Sequence, residues 1–189
     1  MKLHYVKRIS GFTLIELLLV VGFISIAGIG IYATYSKVQR SNSALQEIKN
    51  LSLFKYGIKN LYGNSQNYAG LSNAVINNAR ITPDSMRALP YVPGDTIISN
   101  SFGGGVNVWA SNWNGATNNV FIVQYSGLPV DACVKMIMSA QDEWDQIAIG
   151  PAIPIKSPGL NSKVFASSAT TQCSQYDNGN GQSVQFWSR

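Results

Sequence analysis

The chain has 189 residues and a formal net charge of +5, and only 12% of its residues are charged. Its hydrophobic fraction of 46% excludes wholesale disorder, and its single long apolar run excludes a membrane protein with several spans. The one histidine is His4, near the N-terminus. These features weaken most hydrolase and zinc-enzyme interpretations, and the length favours one domain with an appendage.

A long apolar run follows a basic N-terminus. Residues 12–35 read FTLIELLLVVGFISIAGIGIYATY and carry one charge, Glu16. As a helix this segment would span about 36 Å, which is enough to cross a bilayer core. Lys2, Lys7 and Arg8 precede it without any acid, which predicts a cytoplasmic N-terminus and an outside C-terminus. A secretory signal would be shorter, and a plain signal anchor gives no reason for an acid that costs about 2.5–3.5 kcal/mol in a bilayer.

The junction before the apolar run carries a specific motif. Residues 7–16 read KRISGFTLIE, in which a glycine, an aromatic residue and a glutamate open the run. This segment resembles the prepilin cleavage motif of the type IV pilins. The resemblance implies that a prepilin peptidase cuts on the cytoplasmic side between Gly11 and Phe12, removes residues 1–11 as a leader peptide and methylates the new N-terminus at Phe12. It also implies that Glu16 pairs with the N-terminal amine of a neighbouring subunit.

Elementary electrostatics predicts the same pairing role for Glu16. In an apolar filament core, an amine and a carboxylate attract each other more strongly than in water, and an unpaired charge is costly there. Pairing therefore favours one axial register between subunits, which non-directional hydrophobic contact does not set.

Helical periodicity continues beyond the apolar run. Apolar residues recur at steps of three or four from Leu45 to Leu61, and Gly63 followed by Asn64 is a stop signal. The sequence therefore predicts one continuous helix over residues 12–62. We interpret the apolar stripe as ordinary core packing rather than as a partner site.

Three segments follow from this pattern, after the leader. They are a transmembrane and polymerisation helix at 12–35, an amphipathic second half of the helix at 36–63, and a globular head at 64–189. Pro, Gly and Asn punctuate the head. Patterning there predicts strands at 96–99, 106–111, 120–126, 147–149 and 183–187, the last with Val184 and Phe186 on one face. The Asn-rich stretch 112–119 contains Asn114-Gly115 and is predicted to join the second and third strands as a hairpin. A short helix is predicted at 81–87 with Thr82 as N-cap, and a helix at 131–143 with Asp131 as N-cap. The fold class is α+β, and the resemblance implies a long N-terminal helix packed on an antiparallel sheet, the pilin α/β roll.

Cys133 and Cys173 are the only cysteines. In a translocated head two cysteines favour a disulfide, here bounding residues 133–173. Two buried free thiols are the alternative, and a metal site lacks ligands because no histidine accompanies the pair.

Two stretches of the head resemble the type IVb pilins. Residues 127–133 read GLPVDAC and precede a helix, and residues 100–106 read NSFGGGV. The relatives implied are the thin-pilus pilins of conjugative plasmids and of enteric bacteria. The leader of eleven residues and Phe12 depart from that group, since both are features of type IVa pilins.

The head shows no catalytic constellation. The processed chain would contain no histidine and has no phosphate-binding glycine loop, so we expect no enzyme activity, no cofactor and no metal. Acids at Asp142, Glu143 and Asp145 are interpreted as a solvated helix end. Four tryptophans could contact sugars or receptors, with Trp113 the most exposed candidate; the other three are expected in the core or at a subunit interface.

The leading function is therefore the major subunit of a type IV pilus or fimbrium. It would polymerise with itself into extracellular filaments for cell adhesion, aggregation or conjugation. Its partners would be prepilin peptidase, the inner-membrane assembly machinery, and the membrane that holds the single-pass precursor. The alternatives are a type II secretion pseudopilin and a minor or DNA-uptake pilin. Six basic against seven acidic residues after Asn64 argue against a nucleic-acid partner.

Overall fold

A computed structural model describes residues 12–87, 90–150, 153–159, 163–175 and 181–189. The predicted leader, residues 1–11, which ends at Gly11, lies outside the described residues. The elements, in chain order, are α1 (Leu14–Leu61), α2 (Asn73–Asn78), a 3-10 turn (Asp84–Met86), β1 (Val106–Trp113), β2 (Ala116–Leu128), α3 (Val130–Ala140), β3 (Gln146–Ile149), β4 (Ile153–Lys156), α4 (Ala166–Gln175) and β5 (Gln182–Ser188).

Helix α1 is continuous over 48 residues, which confirms the predicted long helix to within two residues at its start and one at its end. The chain divides into two compact units, one ending at Gln39 and the other comprising Arg40–Arg189. In the first unit, α1 contains a stretch that is long and apolar enough to cross a membrane. The helical pattern also passes through Gly28 and Gly30, two positions of low helix propensity.

The second unit is built on a five-stranded antiparallel sheet with the strand order β1-β2-β5-β3-β4. The hairpin between β1 and β2 turns at Asn114 and Gly115, whose φ angles are 51° and 81°. Two successive positive φ values are those of a type I′ turn, for which Asn-Gly is the preferred sequence. The predicted hairpin is therefore confirmed, with longer strands than the pattern suggested.

One face of the sheet carries the core. Phe121, Val123 and Tyr125 of β2 are fully buried, as are Val184 and Phe186 of β5. Buried and half-buried positions alternate along β5, as expected when one face of an antiparallel sheet is packed, whereas Val120 and Ile122 on the other face of β2 are buried as well. The predicted shared face of β5 is confirmed.

The second half of α1 supplies the helical side of the same core. Leu51, Phe54 and Ile58 are buried in one cluster with the inner face of the sheet. The predicted stripe is too wide at its ends, because Leu45 is 53% exposed and Leu61 is 45% exposed. Leu45 follows the buried Ala44 by one position and is therefore turned about 100° away from it, and Leu61 is the last residue of α1.

Several head elements differ from the sequence predictions. Residues 96–99 form isolated bridges at Ile98 and Ser99 instead of a strand. Thr82 is not a helix cap: the 3-10 turn begins after Pro83, and Thr82 is buried. Helix α3 begins at Val130 and ends at Ala140, with Pro129 rather than Asp131 at its N-cap. Helices α2 and α4 and strand β4 were not predicted.

Candidate assembly segment and its head

In the described part of the first unit, from Phe12 onward, the large apolar side chains are exposed. Phe12 is 82% exposed and Leu14 is 80% exposed, and large apolar side chains remain exposed along the helix as far as Val38. Isolated large hydrophobic residues are common on protein surfaces, but a contiguous apolar surface of this length marks an interaction or membrane site. The segment therefore requires a bilayer or other apolar helices around it.

Glu16 occupies the first turn of this helix. Its backbone N–H lies 3.4 Å from Oγ1 of Thr13, which immediately precedes the helix. A threonine followed three residues later by a glutamate is the capping-box pattern, and an acid in the first turn is favoured by the helix dipole. The structure thus places the predicted assembly residue Glu16 one turn from Phe12, the predicted new N-terminus.

Three glycines of the first unit face open space. A Cβ added at Gly22, Gly28 or Gly30 would meet no atom within 4 Å. Packing inside this chain therefore does not require their small size. Small residues in apolar helices allow close approach of a neighbouring helix.

In the second unit, Glu47 of α1 is fully buried beneath the loop at residues 100–105. Its carboxylate accepts hydrogen bonds from the backbone N–H and hydroxyl of Ser101, at 2.8 Å for the N–H, and from the amide of Asn50 at 3.2 Å. Burial, together with the nearby Glu47 carboxylate, raises the pKa of the Tyr125 hydroxyl well above its usual value. This polar cluster fixes the loop on the helix.

Asn100 organises the loop from the other side. Its side-chain oxygen accepts hydrogen bonds from the N–H groups of Phe102 and Gly104, and its amide donates to the carbonyl of Ser126 at 2.8 Å. Gly104 is needed here because a Cβ would lie 1.8 Å from that carbonyl oxygen. The glycine run therefore marks a close approach of two backbones.

The predicted disulfide is present. Cys133 of α3 is bonded to Cys173 of α4, and both residues are fully buried. Helix α4 has only Ala169 and Cys173 buried, so the bridge is its main attachment to the core. The link closes a separation of 40 residues.

The acids after α3 make structural contacts. Asp145 accepts hydrogen bonds from the backbone N–H of Arg189 at 2.9 Å and from its guanidinium at 3.4 Å. Burial disfavours its charged form, but these bonds outweigh it and hold the pKa of Asp145 below its usual range. Lys55 donates to the carbonyl of Glu143, and burial lowers the pKa of Lys55. Asp142 and Glu143 are exposed as predicted, whereas Asp145 anchors the C-terminus.

No group of three or more metal-ligating side chains occurs in the described parts of the chain. Trp144 is buried in the core, and Trp113 lies edge-on to Trp187 with ring centroids 6.0 Å apart. Trp113 is thus half-buried, and less free than its Asn-rich turn suggested.

A sequence model of the family described as PilS N terminal matches residues 41–187 of this chain. The chain belongs to this family. Among its relatives, the toxin coregulated pilin of Vibrio cholerae is 22% identical over 152 residues, which cover 79% of this chain and 67% of that protein.

Two crystal structures show that this PilS-family chain has the type IV pilin fold. A type IVb pilin from Salmonella typhi superposes with a TM-score of 0.56 and 21% identity, over 75% of this chain and 96% of that one. TcpA, a type IV pilin from the El Tor biotype of Vibrio cholerae, superposes with a TM-score of 0.57 and 14% identity, over 78% of this chain and 99% of that one. The fold class predicted from the sequence is therefore confirmed.

Sequence patterning missed Glu47 and its cluster. Glu47 lies on the buried side of α1 with Ala44 and Leu51, at steps of three and four residues. The available signal was an acid at a core position of the helix. A buried acid requires hydrogen-bond donors, and Ser101 of the loop and Asn50 of α1 supply them.

Proposed function

We propose that this chain is the major structural subunit of a type IV pilus. It polymerises with itself into extracellular filaments that serve adhesion, aggregation or conjugative mating. One observation carries the proposal: an uninterrupted apolar helix with a single acid precedes a head of the type IV pilin fold. The role is structural, and no enzyme activity is assigned to the chain.

Before assembly the apolar helix anchors the chain in the inner membrane as a single-pass precursor. The basic residues Lys2, Lys7 and Arg8 hold the N-terminus in the cytoplasm, and the head lies outside. Prepilin peptidase then cleaves between Gly11 and Phe12 and the amine of Phe12 is methylated. The membrane assembly machinery transfers the mature chain into the growing filament.

In the filament the exposed apolar surface of the helix is buried against other copies. At about 25 cal/mol per Å² of apolar area, such burial supplies the main driving force for association. The amine of Phe12 and the carboxylate of Glu16 on an adjacent subunit supply the register, since both would otherwise be unpaired charges in an apolar core.

The test is intact mass spectrometry of protein sheared from the cell surface. We expect an abundant species of 178 residues, left when 11 of the 189 are removed, carrying one methyl group and lacking two hydrogens because of the disulfide. Retention of Met1 would defeat the processing step. A sheared fraction nearly free of this chain would instead favour a secretion pseudopilin or a minor pilin.

A further inference from the structure

A solvent-open cavity of about 520 Å³ lies on the head, between α1 and the chain that follows α2. Its lining comes entirely from the second unit: Leu53, Tyr56, Gly57 and Asn60 of α1, and Arg80, Ile81, Thr82, Pro83, Asp84 and Arg87. Its volume lies within the range of small-molecule sites. The polymerisation helix contributes nothing to it.

Two arginines give the cavity its charge. Arg87 keeps only 9% of its side chain exposed, and its guanidinium lies 5.6 Å from the centre of the Tyr91 ring. The guanidinium of Arg80 lies 4.0 Å from the same ring. The Tyr91 hydroxyl donates to Asn78 at 2.9 Å, which fixes the ring that both cations face. The two positive charges are thus held at one wall of the cavity.

The buried polar groups of this cavity are incompletely satisfied. Nε and Nη1 of Arg87 and the hydroxyl of Thr82 have no hydrogen-bond partner in the described part of the chain. Thr82 itself is only 2% exposed. These atoms are closed to solvent as the cavity stands, so a ligand reaches them only by displacing the groups that cover them; an acceptor placed there would remove the cost of the unpaired donors.

Asp84 indicates that the guanidinium of Arg87 binds a carboxylate. Its carboxylate pairs with Nη2 of Arg87, and its own side chain is 82% exposed. Because its side chain faces water, Asp84 can move into solvent without leaving its own charge buried and unpaired, whereas Arg87 stays in place. An incoming carboxylate can therefore replace Asp84 and use the planar donor fork of Arg87.

The remainder of the lining selects a sugar rather than a simple anion. Tyr56 is 70% exposed at the cavity and offers an aromatic face, and Asn60 offers an amide that can both donate and accept. We propose that this cavity binds a terminal sugar of a glycan that bears a carboxylate, with Arg87 and Arg80 on the carboxylate and Asn60 on a hydroxyl. This binding activity goes beyond the filament-subunit function and does not depend on assembly.

The test uses the full-length protein in uncharged detergent micelles, so that it succeeds or fails independently of filament formation. The probe is methyl β-D-glucuronide, titrated by isothermal calorimetry. For a ligand of this size we expect a Kd of about 1 mM. The methyl ester of the same sugar, which has a neutral ester in place of the carboxylate, and acetate, which keeps the carboxylate without the sugar, should each bind at least about tenfold more weakly. Equal affinity for either control, or no binding of the glucuronide, would overturn the proposal.

Variants locate the site. Arg87→Gln should weaken binding about tenfold or more and Arg80→Gln about threefold or more, whereas Lys163→Gln, an exposed cation elsewhere on the head, should change nothing. Asp84→Asn removes the internal competitor from an exposed position and should tighten binding about threefold or more. The last variant keeps the test decisive if Arg87→Gln fails to fold. Unchanged or weaker binding by Asp84→Asn, or equal loss in Lys163→Gln, would overturn the assignment.

Discussion

The disulfide between Cys133 and Cys173 should contribute a large share of the stability of the head. The cysteines are 40 positions apart, and closing a loop of that length removes chain entropy worth about 4 kcal/mol from the unfolded state. For a unit of this size, each kcal/mol corresponds to about 2–4 °C in Tm. Replacing both cysteines with alanine should therefore lower the Tm of the head by about 8–16 °C.

The loss of stability should appear first in α4. Helix α3 retains Ala132, Met136, Ile137 and Ala140 in the core, whereas α4 retains only Ala169 once the bridge is removed. Amide hydrogen exchange of the full-length variant in detergent should show that α4 loses far more protection than α3. Thermal unfolding followed by near-ultraviolet circular dichroism gives the Tm.

The matched control is the wild-type protein with and without reductant, because reduction breaks the bond without changing the sequence. Reduction should reproduce most of the loss of Tm seen in the double alanine variant. Equal Tm values for oxidised and reduced wild-type protein would refute the reasoning, and so would equal loss of protection in α3 and α4.

Three further predictions concern the second unit, Arg40–Arg189. Gly104→Ala should lower the free energy of unfolding by about 3 kcal/mol or more in chemical denaturation, because the new Cβ would meet the Ser126 carbonyl oxygen. The control is Gly105→Ala, whose Cβ would lie 3.5 Å from the nearest atom and which should be close to neutral. Glu47→Gln should cost about 1–3 kcal/mol by replacing the charged acceptor of the Ser101 hydrogen bonds, and an unchanged denaturation midpoint would contradict this role. Asp145→Asn should cost about 0.5–1 kcal/mol at neutral pH. Because the pKa of Asp145 is lowered in the folded state, this stabilisation is present above the ordinary pKa of 3.8 and disappears as the pH falls through the folded pKa. If the wild-type protein stayed more stable than Asp145→Asn at the lowest pH, the role given to the Asp145 carboxylate would be wrong.

Elements with strong periodicity or turn chemistry could be predicted from the sequence. The long helix followed from the apolar run and the stripe after it, and the β1–β2 hairpin followed from Asn114-Gly115. The positions of Phe12 and Glu16 in one turn likewise follow from their spacing. Each of these depends on local information that the chain carries in a few residues.

The missed elements depend on tertiary contacts. Helix α2 reads NAVINN, and its Asn73 donates to the carbonyls of Thr96 and Val106 while accepting from the N–H of Val108. Helix α4 reads ASSATTQCSQ and lacks an apolar stripe, so its placement depends on Cys173. Strand β4 contains Pro154, which is tolerated because β4 lies at the edge of the sheet.

The cavity beside Arg87 was equally invisible in the sequence. Its two arginines are seven positions apart and are brought together on Tyr91 by the turn after α2. Arg80 itself has a φ of 58°, a left-handed conformation that is uncommon for arginine and cannot be predicted from the residue type. Such a site arises only from the path of the backbone.

Glu16→Val is the variant that tests the filament account most directly. The change removes an insertion cost, so the precursor should insert and be processed normally. Assembly should fail because the amine of an incoming Phe12 would have no acid to neutralise it. Glu16→Asp, one methylene shorter, should be intermediate.

The measurement is the yield of this chain in sheared surface fibres, compared with the processed chain left in the membrane fraction. The account predicts abundant fibres from the wild-type chain and, from Glu16→Val, mature protein that accumulates in the membrane without fibres. Fibres from Glu16→Val at the wild-type level would contradict the pairing of Phe12 with Glu16. An absence of fibres from the wild-type chain itself would contradict the proposed function.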